Sequence, residues 1–237
     1  MSLSSMLNAV VDQIGITRPS AYVSGSDQTA RTLVAMANVE GQTLARRHDW
    51  SFLTLEATHT TLAAEDQGTL ESIVDSGESF DYLINDTIWD RTQIYPNMGP
   101  HTPKSYQRVK ANVAVGPYST FRIWRNNLYL YPAPSAGNTL AFEYKTTNWL
   151  SNSAIDTYYE TWQADTDLGR LDEGIMKLGI LWRFKQSKGF DYAEDMRTYE
   201  EQVHRAIARD GSKRVLNLGD PAEFNPKIGT PEGSWNL

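Results

Sequence analysis

Four histidines, His48, His59, His101 and His204, are the first residues to weigh for metal ligation or proton transfer. They fall in different segments, and none forms an H-x-x-x-H or H-E-x-x-H pair that would set two imidazoles on one helical face. His204, in a charged stretch, reads as solvent-facing. The segment ADTDLGRLDE carries Asp165, Asp167 and Gly169 in the outline of a calcium loop. An EF-hand needs another oxygen ligand before its Gly and a bidentate Glu at the end, and those positions are not filled in order. Helix capping by Asp167 is the better reading. No G-x-S-x-G elbow, P-loop or G-x-G-x-x-G is present. The absence of cysteine removes disulfides, thiolate zinc sites, iron–sulfur clusters and cysteine nucleophiles together. With 29 Asp and Glu residues some carboxylate pair will be close by chance, so a glycosidase dyad has little support. The sequence therefore predicts no catalytic residue, no metal and no cofactor.

Trp89, Trp124, Trp149 and Trp162, with Tyr129, Tyr131 and Tyr144, concentrate in the middle of the chain. Three roles compete for them: filling a β core, anchoring a subunit interface, or stacking on sugar rings. The net charge of −7 and pI near 5.1 argue against a dedicated nucleic-acid binder, which needs a basic stripe. An acidic wall that DNA slides past remains compatible with that balance. The start, MSLSSMLNAVVDQIG, lacks a basic region and places Asp12 in its apolar stretch, so it does not read as a secretory signal. No apolar run approaches the roughly 20 residues of a membrane span, and a soluble protein is expected.

These residues are positioned by elements of two kinds. Leu3, Met6, Leu7, Val10, Val11 and Ile14 recur at helical spacing and stop at Gly15. A second helix is predicted from Ser26 or Asp27 to about His48, with Gly41 inside it as a point of close packing against another helix. The pair reads as a hairpin over residues 1–50. From 51 to 150 the texture is β, in SFLTLEATHTTL, FDYLI, TIWDRTQIYP, FRIW, LYLYP and TLAFEYKTTNW. Trp124 to Leu128 reads as a tight hairpin, and a second hairpin is predicted from Tyr131 to Leu140 around PAPSAGN. Helical spacing returns over 151–211, in a pair whose members end at Gly189 and Gly211, with Asp172 and Glu173 in the first turn. Residues 212–237 are Gly- and Pro-rich and read as an extended tail. The expected fold is α+β: a four-helix bundle of N- and C-terminal helix pairs, an inserted antiparallel β module and that tail.

Three stretches carry a family resemblance. MLNAVVDQIGI, followed by a loop to Asp27 and a helix closed by RRHDWSF, resembles the opening of tail tubular protein A and related head-to-tail connector proteins of short-tailed phages. Arg47, Asp49, Trp50 and Phe52 hold the characteristic ending. LYLYPAPSAGNTLAFEYKTTNW looks like their Pro-x-Pro turn and Phe-x-Tyr strand. LGILWRFKQSKGFDYAEDMRTYEEQV is similar to their C-terminal helix pair through Trp182, Lys185, Gly189, Tyr192 and Tyr199. The chain departs from shorter members in its larger β region and its long Gly/Pro tail.

The resemblance implies a non-enzymatic structural virion protein. It would form a homo-oligomeric, commonly twelve-fold ring at the head–tail junction, assembled in the host cytoplasm. Its partners would be the portal above and a tail or nozzle protein below, with DNA only passing through the channel and no membrane contact. Val215, Leu216, Leu218, Phe224, Ile228 and Trp235 in the tail are expected to anchor on the portal or a neighbouring subunit. Glu194, Asp195, Glu200 and Glu201 are candidates for acids lining the channel. The rival readings are a carbohydrate-binding tail accessory module and, less favoured, a cell-wall hydrolase.

Overall fold

A computed structural model describes residues 2–74, 78–112 and 118–210. Helix α1 (Leu3–Ile14) is capped by the Ser2 side chain and closed by Gly15 at φ +80°, and α2 (Gln28–Arg47) is capped by Asp27. A 3-10 turn at Ser51–Leu53 leads into the strands β1 (Thr54–Thr60) and β2 (Asp66–Thr69), then the single-turn helix α3 (Leu70–Ile73). Next come the two-residue strands β3 (Tyr82–Leu83), β4 (Trp89–Asp90) and β5 (Tyr95–Pro96), then α4 (Pro103–Ala111). β6 (Thr120–Trp124), β7 (Asn127–Tyr131) and β8 (Thr139–Lys145) are longer. The short strands β9 (Leu150–Ser151), β10 (Tyr158–Tyr159) and β11 (Leu168–Gly169) precede α5 (Glu173–Lys188) and α6 (Ala193–Arg209).

The strands form three antiparallel sheets. One runs β1-β8-β4-β5 with β3 also on β8, another β10-β9-β11, the third β2-β7-β6. Two cores result. The helical core gathers α1, α2, α5 and α6 with Trp50, Leu53, Trp149, Leu150, Trp162 and Leu171. The β core gathers Ala57, Leu70, Ile73, Leu83, Ile88, Phe121, Leu128, Leu130, Leu140, Phe142 and Tyr144. Burying each such large side chain stabilises the fold by about 1.5–3 kcal/mol.

This overturns the expected four-helix bundle with an inserted β module. Among the described residues there are six helices and eleven strands in three sheets, and the middle of the chain is largely β. The C-terminal helices α5 and α6 pair as expected, but α1 and α2 pack on α5 rather than chiefly on each other. The β9–β11 sheet closes the same core, because Leu3 and Ser4 donate their amides to the carbonyls of Asp167 and Asp165. The Asp165 carboxylate accepts from the amides of Tyr22 and Val23, pinning the α1–α2 loop to this sheet. Asp167 is not a helix cap either. It accepts from the amides of Gln163 and Ala164 in a tight turn, and Asp172 caps α5. Gly41 is a close-packing site, but against an indole rather than a helix: a Cβ there would lie 2.1 Å from the Trp149 ring.

The predicted hairpin over Tyr131–Leu140 is also corrected. β7 pairs with β6 and β2, while β8 pairs with β1, β3 and β4, so the intervening segment carries the chain from one sheet to the other. The tighter hairpin is present: Arg125 (φ +52°) and Asn126 (φ +64°) form a two-residue turn whose positive φ values match the strand twist. No helix among the described residues is long and apolar enough to cross a membrane.

Candidate functional site

The β6–β7 hairpin separates its side chains by strict alternation. Phe121, Leu128 and Leu130 turn into the β core. Thr120, Arg122 and Trp124 turn outward on β6, with Asn127, Tyr129 and Tyr131 on β7. The register sets Arg122 opposite Tyr129, Thr120 opposite Tyr131 and Trp124 opposite Asn127. Helix α4, begun by the Thr102 cap and Pro103, lays the buried ring of Tyr106 on this outer face, 6.4 Å from Tyr131.

Cations and rings interleave across the face. Arg122 lies 5.7 Å from the Tyr106 ring and 5.7 Å from that of Trp124, and Arg125 lies 5.1 Å from Trp124. Lys110 reaches Tyr106 and Tyr131 at 5.5 and 5.7 Å. Such contacts contribute about 0.5–1 kcal/mol each when exposed and hold the guanidinium planes in place. Burial, with Glu65 nearby, pushes the Tyr106 phenol up to about 12, so it stays protonated at neutral pH. Two acids adjoin the face: Glu65 pairs with Lys110, and Asp66 accepts from Asn127 at 3.0 Å. Lys104, Arg108, Arg122 and Arg125 have no carboxylate within ion-pair distance among the described residues.

A second concavity, of about 540 Å³, opens on the β1-β8-β4 face and is lined by Glu56, Asp86, Trp89, Arg91 and Glu143 among others. Glu56 and Glu143 are direct cross-strand partners, and Glu56 is ion-paired to Arg91.

The residues singled out by sequence scatter. In α6, Glu194 faces Arg197, Asp195 faces Lys185 at 2.5 Å, Glu200 faces Arg47 at 2.9 Å, and Glu201 lies 3.7 Å from both Arg197 and Arg205. Each proposed channel acid thus has a cation of its own protein beside it, and α6 does not present a bare acidic wall. The anchors Val215, Leu216, Leu218, Phe224, Ile228 and Trp235 lie outside the described residues. Trp149, Trp162 and Tyr144 are core, Trp89 lines the concavity, and Trp124, Tyr129 and Tyr131 form the outer face. His48 meets Asp210 at 3.2 Å, His101 meets Ser105, burial holds the half-buried His59 below its usual range, and His204 is exposed. Among the described residues no three His, Asp or Glu side chains converge as a metal site would require.

Two features escaped sequence reasoning. Thr102-Pro103, a cap residue followed by Pro at the first helical position, marked α4 inside the β region. The fully buried Glu40 had no signal, because its partners Arg183 (2.6 Å) and Tyr199 lie far along the chain. Its carboxylate rests on the backbone of Gly179, where a Cβ would sit 2.3 Å from Glu40 Cδ. No protein-family model matches the chain and no curated protein matches it in sequence.

Proposed function

We propose that this chain is a non-enzymatic structural virion protein, a ring-forming adaptor that joins the portal to the tail and borders the DNA exit channel. The observation that carries the reading is a pair of unlike apolar patches in different parts of the molecule. Ile94, Tyr95, Met98 and Tyr118 are 42–76% exposed along β5 and the approach to β6, with the two tyrosine rings in edge contact at 5.3 Å. Phe190 (60% exposed) and Met196 (40%) sit at the α5–α6 turn beside Tyr192, whose ring leans on Trp182. A closed ring needs two different surfaces that fit each other head to tail, whereas a two-fold dimer needs only one. Large exposed apolar side chains of this kind mark contact surfaces. In this reading the copies assemble about the channel, commonly twelve to a ring, with the portal and a tail or nozzle protein above and below. The virion's head–tail junction is then its location, reached from the host cytoplasm.

Negative-stain microscopy and sedimentation of the purified chain, alone and with a portal, test the proposal. Rings are expected, and Ile94→Asp or Phe190→Asp should each abolish them while leaving the fold intact. A chain that stays monomeric in both conditions and does not bind a portal overturns the reading.

The concavity around Trp89 favours a second reading, a carbohydrate-binding accessory module, because an indole beside Glu56, Asp86 and Glu143 offers a stacking plane ringed by hydroxyl acceptors. Quenching or shift of Trp89 emission by oligosaccharides, lost in Trp89→Ala, would support it. Turnover of cell-wall glycan abolished by Glu143→Gln would instead mark a hydrolase.

A further inference from the structure

We infer that the outer face of β6–β7 together with α4 binds the phosphate backbone of duplex DNA without reading its sequence. The inference deepens the adaptor reading and rests on it for the presence of DNA; the surface itself is argued from charge and geometry. The chain as a whole is acidic, yet α4 and the β6–β7 hairpin together carry Lys104, Arg108, Lys110, Arg122 and Arg125 and no Asp or Glu of their own, with Glu65 and Asp66 adjoining. Elsewhere the acidic helix α6 is laced with ion pairs to Lys185, Arg47, Arg197 and Arg205. Four of the five cations carried by α4 and the β6–β7 hairpin have no such partner, so their charge is available to a ligand.

The chemistry of the face selects phosphate over a general acidic partner. Arg122 and Arg125 are planar forks held against rings, which fixes their orientation before a ligand arrives and favours bidentate capture of phosphate oxygens. Lys104 and Arg108 are exposed and four apart on α4, one turn above each other, where they form a second row of charge. Trp124, 47% exposed, and Tyr129 beside it at 5.6 Å supply apolar area for deoxyribose. The set is dominated by Lys and Arg, whose contacts to phosphate oxygens position a duplex and carry no sequence information. Binding would be weak and reversible, as a passage that must later release its DNA requires.

Fluorescence anisotropy of a labelled 20-base-pair duplex with the full chain tests this between 50 and 200 mM NaCl. Four free cations predict a slope of log K against log salt near −3.6, which is roughly a hundredfold loss of affinity over that range. The double variant Arg108→Glu/Arg125→Glu should flatten the slope by about two units and abolish binding at 200 mM. Trp124→Ala should weaken binding with the slope unchanged. Melting and sedimentation of each variant show that fold and assembly persist. The inference is overturned by no binding at 50 mM, by a slope that the double variant does not change, by a tenfold preference for single strands, or by polyglutamate competing as well as DNA. Rings without DNA binding would sink this inference alone, and DNA binding by a strictly monomeric chain would sink the adaptor reading alone.

Discussion

In the helical core a fully buried carboxylate, Glu40, sits between Arg183 and Tyr199 with one oxygen, Oε1, lacking a hydrogen-bond partner. In the β core the interior is aliphatic and aromatic, and buried polar groups such as Asp90, Asn138 and Gln67 stand at its margin with hydrogen-bond partners. Asn138 donates to Asp90 at 2.8 Å, and Gln67 accepts from the Leu62 amide at 2.8 Å. The helical part is therefore specified by a few matched shapes and one matched charge, the β part by alternation. A pattern tolerates local substitution that preserves volume, whereas a matched charge fails when either member is lost.

The largest effect is expected where alternation is emptied. Phe121→Ala, at a fully buried ring, should cost roughly 4 kcal/mol. Hydrogen exchange should accelerate first in β6, β7 and β8, and equal acceleration in α1 and α5 would mean the two cores open as one. Arg183→Met comes next, at roughly 3 kcal/mol, since it strands the Glu40 charge in the helical core. The paired change Glu40→Met/Arg183→Met should recover most of that loss; no recovery would show that the charge is not what matters.

The junction between the cores yields a smaller effect. Asp210, at the end of α6, accepts from the amide (2.9 Å) and hydroxyl (2.6 Å) of Ser51 at the entrance to β1. Burial opposes its ionisation, but Ser51 and His48 outweigh it and hold the carboxyl below its ordinary value. Asp210→Asn should cost roughly 2 kcal/mol at neutral pH. A depressed carboxyl contributes stability that is complete above the unfolded value near pH 4 and is lost as pH falls through the folded one. The gap between the two proteins should thus persist at neutral pH and close below about pH 4 in urea melts. Smallest of all, Arg125→Asn with Asn126→Gly should raise stability by roughly 0.5 kcal/mol, since both positions have positive φ.

The same contrast explains what could be read from sequence. Helices α1, α2 and α5 announce themselves through caps at Ser2 and Asp27 and through Gly15 and Gly189, all local signals. Their arrangement was not legible, because the contacts that bring α1 and α2 onto α5 join residues far apart in the chain, as Glu40 and Arg183 are. Strands of two residues such as β3, β4 and β5 are too short to alternate. The switch of sheets after Tyr131 looked like a turn, since proline stops pairing whether the chain returns or departs. Net charge misled as well: −7 summed over the chain concealed residues 91–142, which hold six Lys and Arg and no Asp or Glu.

The contact of Trp149 with Gly41 has an optical consequence. The indole of Trp149 lies edge-on to that of Trp162, with centroids 5.5 Å apart and planes at 87°, and its Nε1 donates to the Glu160 carbonyl. Two chromophores so fixed are coupled and dissymmetric, so they should give the near-ultraviolet circular dichroism a couplet native to the helical part. Trp124, half out in solvent at the other end of the sequence's aromatic stretch, should answer to acrylamide instead. One indole signal thus belongs to the helical core and another to the exposed β6–β7 face.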